Sequence, residues 1–209
     1  MSQEEVRKRN AQLVVEKTLE LGLQKGVNNV SIRDAARAAG LTERSVYRYF
    51  ENREELILST IYLFWDKLTK TIHQMISQGG SAGLTGYQQV ELVFRAYIKL
   101  FLEQPEYIRF IFSAEGELNS YGLTASIRAR PPGRFDTSTS SMACALRLGQ
   151  QDGSIGKDVD VKMFYYNAYD AILGIIQRQL LDSTECDLDN AQRLDHLCRL
   201  FLRSLREPI

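Results

Sequence analysis

Residues Val30–Leu56 read VSIRDAARAAGLTERSVYRYFENREEL, two short helical patterns that meet at Gly40-Leu41 and run into a third. Ser31 stands at an N-cap position, and Ile32, Ala35, Ala36 and Ala39 follow at the spacing of one helix face. Small alanines on that face let a neighbouring helix approach closely. Gly40 tolerates the left-handed conformation that ends a helix, and Thr42 is placed to cap the next one. Helix, tight glycine turn and second helix make up the helix-turn-helix unit, in which the second helix enters the DNA major groove.

At 100° per residue, Val46 and Phe50 fall together on the second helix and point inward. Arg44 and Arg48 lie roughly opposite, flanked by Ser45 and Tyr47. That outward face offers guanidinium and phenol groups, which suit guanine edges, thymine methyls and phosphates. Arg33 on the preceding helix is placed to reach a base from the side. Arg53, at the start of the third helix, adds its charge to a dipole that already favours phosphate. The pattern taken singly also fits a surface helix with solvated charges, so the rest of the chain has to be weighed with it.

The chain has 209 residues, 44% of them hydrophobic and 25% charged, the balance of an ordinary globular protein. Lys+Arg and Asp+Glu are equal at 26 each, so any electrostatic footprint on nucleic acid has to be local. The opening MSQEEVRKRN lacks the apolar core of a signal peptide, and no apolar run is long enough to span a bilayer. Cys144, Cys186 and Cys198 show no metal-like spacing, which is expected of reduced thiols in a cytoplasmic protein.

Beyond the opening stretch, helical spacing recurs and period-two alternation does not. Helices are predicted over Gln3–Gln24, ended by Gly22 and Gly26, and from Arg53 onward, with Ile57, Ile61, Phe64, Trp65, Leu68, Ile72 and Met75 on the inner face. Asn52 and Glu55 are spaced as a capping box for that second helix. Between Tyr87 and Glu103 the polar residues Glu91, Arg95, Lys99 and Glu103 recur every four positions, leaving one narrow stripe for water. Pro105 restarts a helix, and 119–134 reads as a long loop or broken helix. Further helices are expected over Asp136–Gln151, Val161–Leu181 and Leu188–Leu205. The expected architecture is all-α: a three-helix head at residues 1–52, then a larger helical bundle at 53–209.

The stretch from LELGLQKG through SIRDAARAAG and Y-R-YF to ENREEL resembles the tetracycline-repressor (TetR) family of bacterial regulators, closely over residues 10 to 58. GQQDGSI further on resembles a weaker recurring feature of that family's ligand domain. The resemblance implies a homodimer whose heads bind a palindromic double-stranded DNA operator and whose C-terminal bundle holds a small-molecule effector. By position it assigns DNA contacts to Arg33, Glu43, Arg44, Ser45, Tyr47, Arg48, Tyr49 and Arg53, with the caps Ser31 and Thr42 counted among the DNA-binding residues. Arg44 stands where many relatives carry a small residue, and Arg53 replaces the usual lysine, allowing a bidentate contact. Glu43 either accepts from a cytosine amino group or caps locally.

His73 and His196 are far apart and lack acidic or cysteine company, so neither a metal nor a cofactor is expected. GGSAGLTG lacks the Lys-Ser/Thr ending of a phosphate loop, and no G-x-S-x-G or H-E-x-x-H pattern occurs. Trp65, Leu68, Ile72, Tyr97, Phe101, Phe110, Tyr166 and Tyr169 are the candidate lining of an apolar or aromatic effector pocket, or else plain core. The last two helices carry wide apolar stripes suited to a two-fold, four-helix interface between copies. The leading expectation is a ligand-responsive repressor. The rivals are an all-α small-molecule carrier or enzyme that has lost operator binding, and a DNA-binding protein that needs no small effector.

Overall fold

The computed structural model describes residues 2–120, 140–180 and 189–206, and the side chains of 179 and 180 are not among those described. Regular structure among these residues is helical: α1 (Gln3–Lys25), a 3-10 turn (Val27–Asn29), α2 (Ile32–Ala38), α3 (Glu43–Val46), α4 (Arg53–Gln78), α5 (Gly86–Glu103), α6 (Pro105–Ser120), α7 (Ser141–Asp152), α8 (Val161–Leu180) and α9 (Asn190–Ser204). The all-α expectation is met. The basic loop at 128–134 and Cys186 lie outside the described residues.

Two compact units form, one from the described residues of Met1–Leu68 and Arg109–Pro132, the other from those of Thr69–Ile108 and Gly133–Ile209. Helices α4 and α6 therefore each contribute residues to both.

Local chemistry starts the helices where the sequence says it should. Ser2 with Glu5, Ser31 with Asp34 and Thr85 with Gln88 form capping boxes on α1, α2 and α5. Asn52 Oδ1 accepts from the Glu55 amide at 2.8 Å, while the Glu55 carboxylate reaches back to the Glu51 amide rather than to that of Asn52. Helix α7 begins at Ser141, capped by the Ser140 hydroxyl, later than the pattern suggested.

In the first unit, Val14, Val15, Ile32, Ala35, Ala36, Val46, Phe50 and Leu56 form one buried cluster. The expected inner face of α4 is buried at Ile57, Ile61, Phe64 and Leu68, with Trp65 half-buried. Gly22 departs from its expected role as a terminator. It sits inside α1, where a Cβ would come within 2.9 Å of the Phe110 ring, itself stacked on Phe64 at 4.3 Å. Gly26 ends the helix at φ 82°.

In the second unit, α5 and α7 cross at glycine. A Cβ on Gly86 would lie 1.9 Å from the Gly149 nitrogen, and one on Gly149 would collide with Ile155 at 2.4 Å. The GQQDGSI segment thereby has a structural meaning. Gly86 permits the close crossing against the Gly149 backbone, Gly149 itself makes room for Ile155, and Gly153 turns the chain at φ 79°. The Asp152 carboxylate accepts from the Gly86 amide at 2.7 Å, and the Ser154 hydroxyl accepts from the Tyr87 amide at 3.1 Å. Gln150 Nε2 donates to the Val159 carbonyl at 2.9 Å, pinning the loop that follows. The polar stripe of α5 faces water, with Glu91 paired to Arg95 at 2.6 Å and Lys99 to Glu103 at 4.0 Å.

Candidate nucleic-acid interface

The segment from Gly40 to Phe50 is built from the inside out. Gly40 adopts φ 67°, and the Leu41 amide donates to the Ala36 carbonyl at 2.9 Å, which closes the turn. Thr42 Oγ1 then accepts from the Ser45 amide at 3.2 Å and shares a hydrogen with Ser45 Oγ at 2.9 Å. Val46 is wholly buried and Phe50 nearly so, as the wheel required. Only one turn, Glu43–Val46, is regular α-helix; Tyr47–Tyr49 continue as hydrogen-bonded turns.

With Val46 and Phe50 buried, Arg44, Tyr47 and Arg48 are turned to solvent, Tyr47 with 54% of its surface exposed. Arg33 and Glu43 are exposed as well. The cap of α3 is Thr42, so the local-cap alternative for Glu43 is already filled by another side chain. Ser31 is exposed and engaged as a cap: its hydroxyl donates to Asp34 at 2.8 Å and accepts from the Asp34 amide. Hydrogen bonds from the Lys25 ammonium and then from Ser31 hold the Asp34 carboxyl well below the usual carboxylate range.

Two expected contacts are placed differently. The Tyr49 ring is half-buried against the head core, and its hydroxyl accepts from Asn10 Nδ2 at 3.3 Å. Arg53 does not extend into solvent as a phosphate ligand. Its guanidinium donates to the carbonyls of Val27, Asn28 and Val30 and to the carboxylate of Glu117. The expected addition of its charge to the phosphate-favouring end of α4 gives way to these protein acceptors, which sit within hydrogen-bond reach.

A residue missed in the sequence is Arg7 on α1. Its Nη2 donates to the Arg48 carbonyl at 3.1 Å, which brings a further guanidinium beside the arginine-rich turn. The signal was there in the run Arg7-Lys8-Arg9, but its 41-residue separation from Arg48 hid the partnership.

The candidate pocket residues divide between the units. Trp65, Leu68 and Phe110 belong to the first, Ile72, Tyr97, Phe101, Tyr166 and Tyr169 to the second. In the second, Tyr97 and Phe101 pack at 5.9 Å, and Tyr165 and Tyr169 stack at 6.1 Å with nearly parallel rings. Tyr166 is half-buried, its ring edge-on to Tyr165 at 5.6 Å. Phe94, Tyr97, Phe101, Met142, Tyr165 and Tyr169 surround a cavity of about 10 Å³, room for a single water. Burial pushes the Tyr97 phenol up to about 12. Among the described residues no helix is long and apolar enough to cross a membrane.

A capped helix, a tight glycine turn and a second segment with buried Val46 and outward arginines define a helix-turn-helix DNA-binding protein. Residues 14–60 match the family model described as bacterial regulatory proteins, tetR family. Over that stretch the chain is similar to the TetR family of transcriptional regulators.

Among curated proteins it is 24% identical over 198 residues to the "Probable acrEF/envCD operon repressor" of Escherichia coli (strain K12), covering 91% of this chain and 86% of that one. It is 28% identical over 87 residues to the HTH-type transcriptional regulator YuxN of Bacillus subtilis (strain 168); that match spans 42% of this chain and only 30% of YuxN. Among solved structures, a TetR family regulator from Marinobacter aquaeolei VT8 superposes with TM-score 0.64, 23% identity and 98% of both chains covered. FadR of Bacillus subtilis, solved in complex with stearoyl-CoA, gives TM-score 0.57 and 16% identity over 95% of this chain and 98% of FadR. Both structural likenesses concern the fold.

Proposed function

We propose that this regulator is a ligand-responsive repressor that binds a palindromic operator as a homodimer. The observation that carries the reading is the placement of Arg44, Tyr47 and Arg48 on the solvent side of a turn whose opposite side, Val46 and Phe50, is buried in the head. Arg44 and Arg48 read guanine edges, Tyr47 meets a phosphate or a thymine methyl, and Arg33 reaches the flank of the site. Ser31, Thr42 and Ser45 set the two helix starts and bring their backbone to the DNA. Glu43 accepts from a cytosine amino group. Tyr49 supports the face from half inside the core, and Arg53 acts from within the protein. Residues 1–52 are the operator-binding domain and 53–209 the effector and dimerisation domain.

The dimer forms through α8 and α9, and the residues that serve it differ from the bare stripes. Phe164, Tyr165, Ala168, Ile172, Ile176, Leu194, Cys198 and Leu205 are buried within the chain's own unit. Among the described residues, Met163 and Leu200 are the exposed large apolar side chains of these helices, at 60% and 49%, with Val161, Ile175 and Leu197 half-buried. These residues are the ones to meet a second copy, placing two heads about 34–36 Å apart, or more, on the DNA.

The effector is an apolar or aromatic small molecule. Support comes from the aromatic cavity at Tyr97, Phe101 and Tyr169 and from the acyl-CoA found in FadR, a protein of like fold. At about 10 Å³ the cavity has to open for any such ligand, so binding and repacking of α5 and α8 are one event. Ile72 and Tyr166, in the same unit, complete the proposed lining; Trp65, Leu68 and Phe110 belong to the other unit and are not carried into it. Because α4 carries residues of both units, a rearrangement that moves α4 reaches the head along one helix.

The test is selection of an operator from random duplexes, followed by titration with the parent, Arg44→Ala and Arg48→Ala. Each variant is expected to lose about 1–3 kcal/mol and to relax base preference at one position. Unchanged binding by both would remove the assignment.

A further inference from the structure

Arg53 begins α4, yet it serves the turn that precedes α2. Nε donates to the Val30 carbonyl at 2.8 Å, and Nη2 to those of Asn28 at 2.9 Å and Val27 at 3.2 Å. On its other side the fork meets Glu117 of α6, Nη1 to Oε2 at 2.8 Å and Nη2 to Oε1 at 3.3 Å. Only 11% of the Glu117 side chain is exposed, against 29% of that of Arg53. One turn earlier on α6, Ser113 Oγ accepts from the Val27 amide at 3.1 Å and donates to the Phe110 carbonyl. Two side chains of α6 thus grip the 27–30 turn, one directly and one through a guanidinium. All of these groups lie in the first unit.

The chemistry explains why the pair is Arg and Glu. Three carbonyls and two carboxylate oxygens surround one planar cation, and the guanidinium fork serves acceptors on both sides of its plane edge. A lysine ammonium at the same place is a point charge with three donors on a flexible stem. Val30 immediately precedes the Ser31 cap, so whatever fixes the Val30 carbonyl fixes the start of α2 and, through Gly40, the aim of Arg44 and Arg48.

We propose that Glu117 is a positioning residue for operator binding: by holding Arg53 against the carbonyls of residues 27, 28 and 30, it sets the seating of the helix-turn-helix. Glu117 itself touches no DNA. The inference rests on the operator-binding reading above.

The test uses the full chain and the operator selected from random duplexes, with Glu117→Gln, Arg53→Lys and the double variant. Each single variant is expected to weaken binding about 10-fold, the scale of an ordinary coupling between sites. The double variant is expected to lose no more than that, because the two residues act as one unit. The slope of log affinity against log salt stays at the parent value, since no phosphate contact is removed. Backbone amides of Ala35 and Ala36 exchange faster in both single variants. Should Glu117→Gln fail to fold, Arg53→Lys, which keeps the charge and loses the fork, carries the same expectation. Parent-like affinity in both would overturn the proposal. So would tighter binding with a slope steeper by about one, which would mean that Glu117 withholds Arg53 from a phosphate. If Arg44→Ala and Arg48→Ala also bind like the parent, the operator-binding reading fails instead.

Discussion

Replacing Gly86 with Ala is the sharpest packing test the second unit offers. The added methyl would meet the Gly149 nitrogen at 1.9 Å, its Cα at 2.3 Å and the Ala145 carbonyl oxygen at 2.5 Å. All three are backbone atoms of α7, so no rotamer change relieves them. Ordinary contact begins near 3.4 Å, so the helices have to part by about 1.5 Å. Val90, Val93, Ala145 and Leu146 on these helices are at most 1% exposed, and a gap of even half to one ångström forfeits a quarter to a half of each dispersion well. The hydrogen bonds from the Gly86 amide to Asp152 and from the Tyr87 amide to Ser154 lengthen with the same movement. Overpacking by about 1–3 kcal/mol, together with two strained hydrogen bonds, gives an expected loss of about 3–5 kcal/mol. Guanidinium denaturation followed by circular dichroism measures it. Gly83→Ala is the control: nothing lies within 4 Å, and only its φ of 80° opposes a side chain, at about 1–2 kcal/mol. If Gly86→Ala cost no more than Gly83→Ala, the close crossing of α5 and α7 would be wrong.

The remaining tests are quicker. Gly116 is helical with open space around it, so Gly116→Ala should raise stability by up to about 1 kcal/mol; a loss in the same denaturation assay would contradict that. Met163→Lys or Leu200→Glu should give a folded monomer by sedimentation, whereas Ile172→Lys should unfold the chain, because Ile172 is only 3% exposed. A dimer that survives both surface changes would move the interface elsewhere. Tyr97 and Cys198 are both pushed up to about 12, Tyr97 by burial and Cys198 by burial and then by Asp195. Their neutral forms support the fold fully below the unfolded values near 9–10, and that support is lost as pH rises toward 12. Tyr97→Phe should therefore melt less steeply with pH across that range, and an identical alkaline melting profile would refute the effect. At the acid end, Asp152 is held below the usual carboxylate range by Ser154 and then by the Gly86 amide. Its contribution is present above about pH 4 and fades as pH falls through the lowered folded value, so Asp152→Asn should flatten the acid limb of a pH melt.

Much of this protein is fixed by interactions a few residues long, and those were open to reading. Ser31 with Asp34, Thr42 with Ser45, the period of Ile32, Ala35 and Ala36, and the glycine at position 40 each determine their local conformation without help from distant residues. The burial of Val46 and Phe50 follows from spacing, and so does the exposure of Arg44, Tyr47 and Arg48. The likeness to the TetR family lies in the same stretch.

What the tertiary structure decided involves residues far apart in the chain. Arg53 looked like a phosphate ligand because its own neighbourhood is a helix N-terminus; Glu117, 64 residues away, and three carbonyls of the 27–30 turn compete for it. Gly22 looked like a stop signal and is instead a gap for the ring of Phe110. The stripes of α8 and α9 looked wide enough for a partner, yet most of their apolar residues are spent on the chain's own core. Periodicity records which residues avoid water. It does not record which acceptor wins a guanidinium or which surface fills a gap, since these depend on the positions of groups that only folding brings together.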